Sequence, residues 1–168
     1  LVDKNVRTRS GAFPFELAWR LIHMYSVKGD MVLDPFLGTG TTMLAAMASA
    51  RNSTGIEIDP NFKEIIEAQV KGITDFANDY INERLQRHET FVMERLGANK
   101  PLKHVNAHYG FPVIMNQEKN LMFHHLKGAR KTEEGAWTVN YATKPMWQSS
   151  IDMAAVNAPA LNVTDENS

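Results

Sequence analysis

Hydrophobic and polar positions in the first hundred residues follow a pattern that switches between helical and strand-like spacing. Between Pro14 and Gly29, apolar residues recur three and four positions apart, which predicts a helix that starts at Pro14 and ends before Gly29. The expected apolar positions of this helix are Phe15, Ala18, Trp19, Leu21, Ile22 and Tyr25. Residues 31–33 then form a short apolar run between polar turns, which predicts a strand buried on both faces.

A glycine-rich loop, a second helix and a second strand are predicted next. Residues 40–51 contain strong helix formers and no helix breaker. Residues 53–58 (STGIEI) have the composition of a short strand. Two strands joined through a helix are expected to be parallel, with a right-handed crossover, and such a unit is half of a doubly wound sheet.

A long amphipathic stretch follows the second strand. Asp59 and Pro60 are suitable as the cap and first-turn residues of a helix that starts at about residue 61. This helix is predicted to be interrupted near Gly72 and to end at Gly97, because glycine favours helix termination.

The pattern changes after residue 100. Apolar runs at 113–115, 121–126 and 137–143 are separated by polar loops, which predicts an antiparallel β meander. We therefore predict an α/β fold with an α/β unit over residues 1–100, a β-rich extension over residues 101–148 and a disordered tail over residues 149–168.

Composition narrows the class of protein. The chain has 168 residues, of which 43% are hydrophobic and 22% charged, which is typical of a globular domain, and its apolar runs are too short for a membrane span. The absence of cysteine excludes disulfides, thiolate zinc sites and a cysteine nucleophile within these residues, and it favours a cytoplasmic location. A net charge of -1 provides no general attraction for nucleic acid, so any nucleic-acid contact would depend on local basic groups or on residues outside this chain. The candidate groups are Lys4, Arg7, Arg9, Lys119, His124, Lys127, Arg130 and Lys131.

The candidate chemistry lies in the loop Asp34–Thr42 (DPFLGTGTT), between the first strand and the following helix. Its glycines allow close approach of a ligand, and a helix start favours a carboxylate or phosphate. The third glycine of a dinucleotide fingerprint is replaced by Met43, and no lysine follows Gly40 as in a P-loop. Glu57, at the end of the second strand, is placed to accept hydrogen bonds from two ribose hydroxyls. A ribose-bearing ligand without a phosphate chain fits best, which indicates S-adenosylmethionine.

The sequence resembles the C-terminal half of the permuted beta class of DNA amino-methyltransferases, which modify adenine N6 or cytosine N4. The matching segments are FPFEL (13–17), VLDPFLGTGTT (32–42), Ala45-Ala46, Arg51 and GIEID (55–59). They span about residues 9–70, under half of the chain. The resemblance implies a Rossmann-like S-adenosylmethionine-dependent methyltransferase fold, with residues 1–100 as the cofactor-binding half and DNA as the substrate of the complete enzyme.

The resemblance also implies a role for individual residues. Phe13 and Pro14 would form a wall beside the methionine end of the cofactor, Phe36 would line the pocket, Glu57 would hold the ribose and Ile58 would pack on the adenine. The loop around the cofactor would consist of Asp34, Pro35, Gly38, Gly40, Thr41 and Thr42. Structural roles compete with these assignments, because residues such as Phe13 and Ile58 are more often core residues than pocket residues, and Phe36 fits either role equally.

The motif that activates the amine in this family is absent from the sequence. That motif is Asp, Asn or Ser followed by two prolines and an aromatic residue, and none of the seven prolines here is adjacent to another. In the permuted order it precedes the glycine-rich loop, so we expect it upstream of Leu1, a position that is itself not Met. The chain alone is then expected to be incomplete and inactive, with no catalytic residue of its own, and to depend on a missing N-terminal half or a partner chain.

Two other functions remain open at this point. One is an RNA methyltransferase fragment, although its own proline motif would be expected after the glycine-rich loop. The other is a non-catalytic subunit that keeps the cofactor fold and serves a partner chain. We expect no membrane association and no metal, because the neighbouring His124 and His125 would point to opposite faces of a predicted strand. The target base, adenine or cytosine, stays undetermined.

Overall fold

The computed structural model describes residues 13–100 and 102–151, which form two compact units. The first unit comprises the chain up to Arg84 together with Met122–Met146, and the second comprises Leu85–Leu121 and the chain from Trp147 onwards. These units differ from the predicted divisions at residues 100 and 148, because a late hairpin belongs to the first unit. The basic positions Lys4, Arg7 and Arg9, and the predicted tail from residue 152, lie outside the described residues.

The first unit begins with the predicted order of helix, strand, helix, strand and helix. Its elements are α1 (Phe15–Tyr25), β1 (Met31–Asp34), α2 (Thr41–Ala48), β2 (Asn52–Gly55), α3 (Phe62–Lys71), the first part of α4 (Ile73–Gly97), β5 (Leu126–Lys131) and β6 (Trp137–Tyr141). The second unit contains the remainder of α4, the strands β3 (His104–Val105) and β4 (Pro112–Val113), and a 3₁₀ helix over Asn116–Asn120. The predicted interruption at Gly72 is confirmed, since this residue separates α3 from α4.

Strands β1 and β2 form a parallel pair, with Met31 opposite Asn52 and Asp34 opposite Gly55. The prediction that β1 is buried on both faces is wrong for the described residues. Val32 packs against the core, whereas Met31 and Leu33 are 64% and 63% exposed. Successive residues of a strand point to opposite faces, so the face that carries Met31 and Leu33 has no covering element within residues 13–100 and 102–151.

The core of the first unit lies between α1, α2, α3, the start of α4 and the hairpin. Small side chains in α2 allow close helix packing, because Ala45 and Ala46 are fully buried. On α1, Ala18, Trp19 and Ile22 are buried as predicted. Leu21 and Tyr25 are 46% and 79% exposed, which departs from the predicted apolar face, because both lie on α1 outside this core.

The hairpin β5–β6 returns to the first unit and packs on its helices. Its strands are antiparallel, and Ala129, Trp137 and Val139 contact the core cluster. The Tyr141 hydroxyl donates a hydrogen bond of 2.8 Å to the Met47 carbonyl of α2, and burial raises the pKa of Tyr141 to about 12. Asn78 of α4 also binds both backbone groups of Leu126. The hairpin is therefore part of the first unit's core.

The prediction of one continuous β meander is wrong. Within the described residues, this part of the chain forms two separate antiparallel pairs, β3–β4 and β5–β6. The predicted strand over residues 121–126 is absent, and β5 begins at Leu126. At the end of the predicted strand, Leu126 pairs with Tyr141 of β6, and the Asn78 side chain also binds both of its backbone groups.

The second unit is organised around one buried amide. The side chain of Asn106 donates to the carbonyls of Glu118 and Leu121 and accepts from the amides of His108 and Tyr109. These four bonds use the full hydrogen-bonding capacity of the amide, which fixes the loops around it. An aromatic cluster of His88, Tyr109, Phe111 and Trp147 packs nearby in the same unit.

In the described part of the chain, no helix combines the length and the apolar character needed to cross a membrane.

Gly55 provides a test of how closely β2 approaches the loop after β1. A Cβ atom at this position would lie 2.6–2.9 Å from three side-chain carbons of Leu37. We expect Gly55→Ala to lower the free energy of unfolding by about 1–3 kcal/mol, as overpacking does. Gly128→Ala is the matched control in another strand, because nothing lies within 4 Å of its Cβ position. Urea denaturation of both variants checks this, and equal stabilities would contradict the described contact.

Candidate functional site

The candidate site is the turn that joins β1 to α2. The Asp34 carboxylate accepts a hydrogen bond from the Phe36 amide, 3.0 Å away, which closes the first bend after the strand. The Leu37 amide donates to the Ile56 carbonyl, and the Ile56 amide donates to the Asp34 carbonyl. The loop is therefore bound to the chain that leaves β2, so that both strand ends contribute to one site.

Two glycines of this loop adopt conformations that other residues rarely tolerate. Gly38 has φ of +53° and Gly40 has φ of +83°, both in the left-handed region. Gly40 immediately precedes α2, where no side chain caps the helix. The first amides of a helix lack intrahelical acceptors, so the start of α2 can bind a negatively charged group.

Glu57 connects the end of β2 to the glycine-rich loop. One carboxylate oxygen accepts a hydrogen bond from the Gly38 amide at 2.7 Å, and the other accepts from the Asp59 amide at 2.9 Å. An ionised carboxylate has about four acceptor positions. Each oxygen therefore keeps one position, which matches the number needed for two vicinal hydroxyl groups.

Three contacts of the loop were missed by sequence reasoning. The Gln69 side chain of α3 donates a 2.6 Å hydrogen bond to the Thr39 carbonyl. Ile66, also on α3, lies 3.3 Å from the Cβ position of Gly40, and Leu37 packs beside Gly55. The amphipathic pattern of α3 predicts which residues share a face, but it gives no signal that this face meets the loop.

Some of the predicted site residues lie together in the structure, and the side chains of others are exposed. Asp34, Gly38 and Glu57 are joined through the bonds described above, and Gly40, Thr41 and Thr42 form the start of α2. Phe36 and Ile58 are 88% and 96% exposed, so neither is a core residue. Pro35 is exposed, and Pro14 immediately precedes α1.

An apolar groove with a volume of about 540 Å³ lies between α1 and β1. We call it the α1–β1 groove; it is lined by Phe13, Leu17, Ala18, Leu21, Ile22, Tyr25, Ser26, Met31, Val32 and Thr42. Two of the predicted cofactor residues, Phe13 and Thr42, are among its lining residues. Met31 and Val32 of β1 form part of the groove wall.

The predicted capping role of Asp59 is corrected, because Asn61 stands at the cap position of α3 and no side chain caps this helix. The Asp59 carboxylate accepts hydrogen bonds from both the backbone amide and the side chain of Asn61, and α3 begins at Phe62. These contacts order the turn between Glu57 and the helix.

The candidate basic groups that the structure describes lie in both units. Lys131 is paired with Glu67 of α3, whereas Lys119, Lys127 and Arg130 are exposed. His124 and His125 lie before β5 rather than on a strand, which corrects the geometry assumed for them. The ring of His125 bonds to Asn82, and burial lowers the pKa of His125. Among the described residues, no group of three histidines, aspartates or glutamates is placed to bind a metal ion.

Comparison with known proteins finds relatives of this sequence. Residues 3–68 match the family model described as DNA methylase. The type II methyltransferase M.MthZI of Methanothermobacter thermautotrophicus is 41% identical over 141 residues, which are 84% of this chain and 38% of the relative. The chain is a DNA N6/N4 methyltransferase-like protein.

Other comparisons with this methylase-like chain cover shorter segments. The type II methyltransferase M.MjaI of Methanocaldococcus jannaschii is 49% identical over 84 residues, which are 46% of this chain and 27% of the relative. A solved structure of a DNA modification methylase from Thermus thermophilus, in complex with S-adenosyl-L-methionine, is 38% identical, covering 41% of this chain and 32% of that chain with a TM-score of 0.33. The methylase-like chain thus spans well under half the length of these relatives.

Proposed function

We propose that this chain binds S-adenosylmethionine within an enzyme that methylates an exocyclic amine of adenine or cytosine in DNA. The observation that carries the proposal is the bond between Glu57 and Gly38, which joins an acidic acceptor to a glycine-rich loop at the start of a helix. Its fold would be that of a Rossmann-like methyltransferase, in which β1 and β2 belong to a larger doubly wound sheet.

Each end of the proposed cofactor has a matching group in the chain. The two remaining acceptor positions of Glu57 would take the ribose hydroxyls. The start of α2, with Thr41 and Thr42, would take the carboxylate of the methionine part. The exposed side chains of Phe36 and Ile58 would pack on the adenine and its surroundings, which would cover apolar surface that is now open to solvent. We keep Phe13 and Pro14 as the wall beside the methionine end, and Asp34 and Pro35 as residues that shape the loop.

The chemistry of transfer requires little of these residues beyond binding and alignment. When bound, S-adenosylmethionine supplies an electrophilic methyl group on a sulfonium. The chain holds the donor in one orientation and excludes water from it. We propose that the groups that accept the protons of the amine, and most groups that recognise DNA, lie outside these 168 residues, since the sequence contains no adjacent prolines. DNA fits better than RNA as the substrate, and we retain the cytoplasm as the proposed location.

We further propose that polypeptide outside this sequence covers the free edge of β1 and the α1–β1 groove. Sheets made of parallel strands are normally buried on both faces, but Met31 and Leu33 are mostly exposed here. The matched relatives supply enough chain for this role, because 141 aligned residues are 38% of M.MthZI. The occupant we expect is a strand that extends the sheet, together with a helix that covers its apolar face.

The backbone pattern gives this docking prediction a position-specific test. Asn52 and Ile56 donate to the carbonyls of Asp30 and Asp34, so alternate residues of β1 face β2. The Leu33 amide therefore points to the free edge and should exchange its hydrogen rapidly, whereas the Val32 amide, which faces β2, should be protected. Addition of the part of M.MthZI that this chain does not match should protect Leu33. Strong protection of Leu33 in a monomeric sample of the chain alone would contradict a free edge.

The function is tested by binding and by transfer. Titration calorimetry should detect S-adenosylmethionine binding to the chain, and no binding would contradict the proposed cofactor role. The chain alone should give no transfer of radiolabelled methyl groups to duplex DNA. Adding the unmatched part of M.MthZI should give transfer to DNA and not to RNA of the same sequence. Transfer by the chain alone would overturn the proposal that the amine-activating groups lie elsewhere.

A further inference from the structure

We infer that Glu57 and Gln69 together hold the glycine-rich loop in its ligand-binding conformation before any ligand binds, which makes Gln69 a positioning residue of the site. The inference rests on the proposed function, because it assigns this conformation to binding of S-adenosylmethionine. Gln69 acts through the loop and is assigned no contact with the cofactor.

The two side chains come from different parts of the fold and form hydrogen bonds with consecutive residues of the loop. Glu57, after β2, accepts a hydrogen bond from the Gly38 amide at 2.7 Å. Gln69, on α3, donates a hydrogen bond to the Thr39 carbonyl at 2.6 Å. The Gly38 amide and the Thr39 carbonyl belong to two different peptide groups, so rotation of either peptide group breaks one of these bonds. Because Thr39 is 3% exposed, loss of the Gln69 donor would also leave its carbonyl poorly satisfied.

The same face of α3 supports the loop at a second point. Ile66 and Gln69 are three residues apart and thus lie on one side of the helix. Ile66 approaches the Cβ position of Gly40 to 3.3 Å, while Gln69 reaches Thr39. The helix therefore supports the loop by an apolar contact and by a hydrogen bond, one turn apart.

A fixed loop matters here because glycine gives the unbound chain many alternative conformations. Gly38 and Gly40 both adopt left-handed φ angles, which a mobile loop would leave for much of the time. Ordering such residues at the moment of binding costs conformational entropy and lowers affinity. A loop that is already ordered avoids this cost, so loosening it should weaken binding without removing any group that touches the ligand.

Substitution of Gln69 by methionine separates the hydrogen bond from packing. Methionine keeps the length of the side chain and cannot donate to the Thr39 carbonyl. In Gln69→Met we expect hydrogen exchange at the Gly38 amide, resolved by NMR in the absence of ligand, to quicken about tenfold while the Val32 amide is unchanged. The dissociation constant for S-adenosylmethionine should rise about five- to tenfold, the range of one neutral hydrogen bond. Gln86→Met is the matched control, because Gln86 is an exposed residue of α4.

A second variant keeps the shape and changes the polarity. Gln69→Glu places an acceptor against the Thr39 carbonyl, so its effect on Gly38 exchange should exceed that of Gln69→Met. Wild-type exchange at Gly38 in both variants would overturn the inference, whether or not the chain binds the cofactor. Faster Gly38 exchange with unchanged affinity would also overturn it. A wild-type chain that fails to bind S-adenosylmethionine, while Gly38 exchange is still faster in both variants, would support the role of Gln69 in holding the loop and would contradict the proposed function.

Discussion

Glu57→Gln is expected to weaken binding of S-adenosylmethionine by about 100-fold, or about 2–3 kcal/mol, the range of hydrogen bonds to charged groups. The two carboxylate oxygens of Glu57 accept from different backbone amides, those of Gly38 and Asp59. A glutamine keeps one acceptor oxygen, but its NH₂ group must face the other amide, and two donors cannot bond. The loop is then released, and the ribose hydroxyls also lose a charged acceptor. Calorimetric titration measures the loss.

Asp59→Asn is the control for this result. Asp59 is a neighbouring carboxylate, and a single oxygen of it accepts both hydrogen bonds from Asn61. Asparagine retains an acceptor oxygen for the Asn61 amide, so affinity should change less than about twofold. Asp59→Ala should cost about 1 kcal/mol of stability through the lost hydrogen bonds to Asn61. If substitution of Glu57 left the cofactor affinity unchanged and substitution of Asp59 lowered it strongly, the cofactor site would have been assigned to the wrong carboxylate.

Gly40→Val is expected to lower the free energy of unfolding by about 2–5 kcal/mol and to abolish measurable cofactor binding. Two costs add: a β-branched residue at φ of +83° is strained, and its Cβ would lie 3.3 Å from Ile66. The substitution also places a side chain at the start of α2, where the ligand is expected to approach. Urea denaturation and cofactor titration give the two values.

The strain can be separated from the contact with Gly29→Val. Gly29 has φ of +88°, close to that of Gly40, but nothing lies within 4 Å of its Cβ position. This variant should show the cost of the backbone conformation alone, about 1–3 kcal/mol, and should bind the cofactor normally. If Gly40→Val does not fold, Gly40→Ala supplies the comparison. Equal cofactor affinity in Gly29→Ala and Gly40→Ala would contradict a role for Gly40 in the site.

Features that depend on neighbouring residues were predictable from the sequence. The helix interruption at Gly72 and the end of α4 at Gly97 follow from local backbone preferences, and both are observed. The proximity of Asp34, Gly38 and Glu57 follows from the rule that parallel strands end at the same edge of a sheet. Local chemistry and one topological rule were sufficient for this part of the site.

Features that depend on distant packing were not predictable. The bond from Gln69 to Thr39 requires the rotation of α3 relative to the loop, which the sequence of α3 does not specify. The exposure of Met31 and Leu33 was missed because an apolar run shows that a surface tends to be covered, but not which polypeptide covers it. The late hairpin was assigned to a separate extension because strand patterns do not reveal the partner of a strand.

The return of the β5–β6 hairpin to the first unit has a consequence for synthesis of the chain. Leu126 is 1% exposed, and the other buried residues of its core come from α1 to α4. The Met47 carbonyl accepts its hydrogen bond from the hydroxyl of Tyr141, 94 positions later in the chain. Contacts of such long range close late and slow folding. When synthesis has reached only about residue 100, the core of this unit is therefore incomplete. A chaperone or an early partner then has access to surfaces that the complete unit buries.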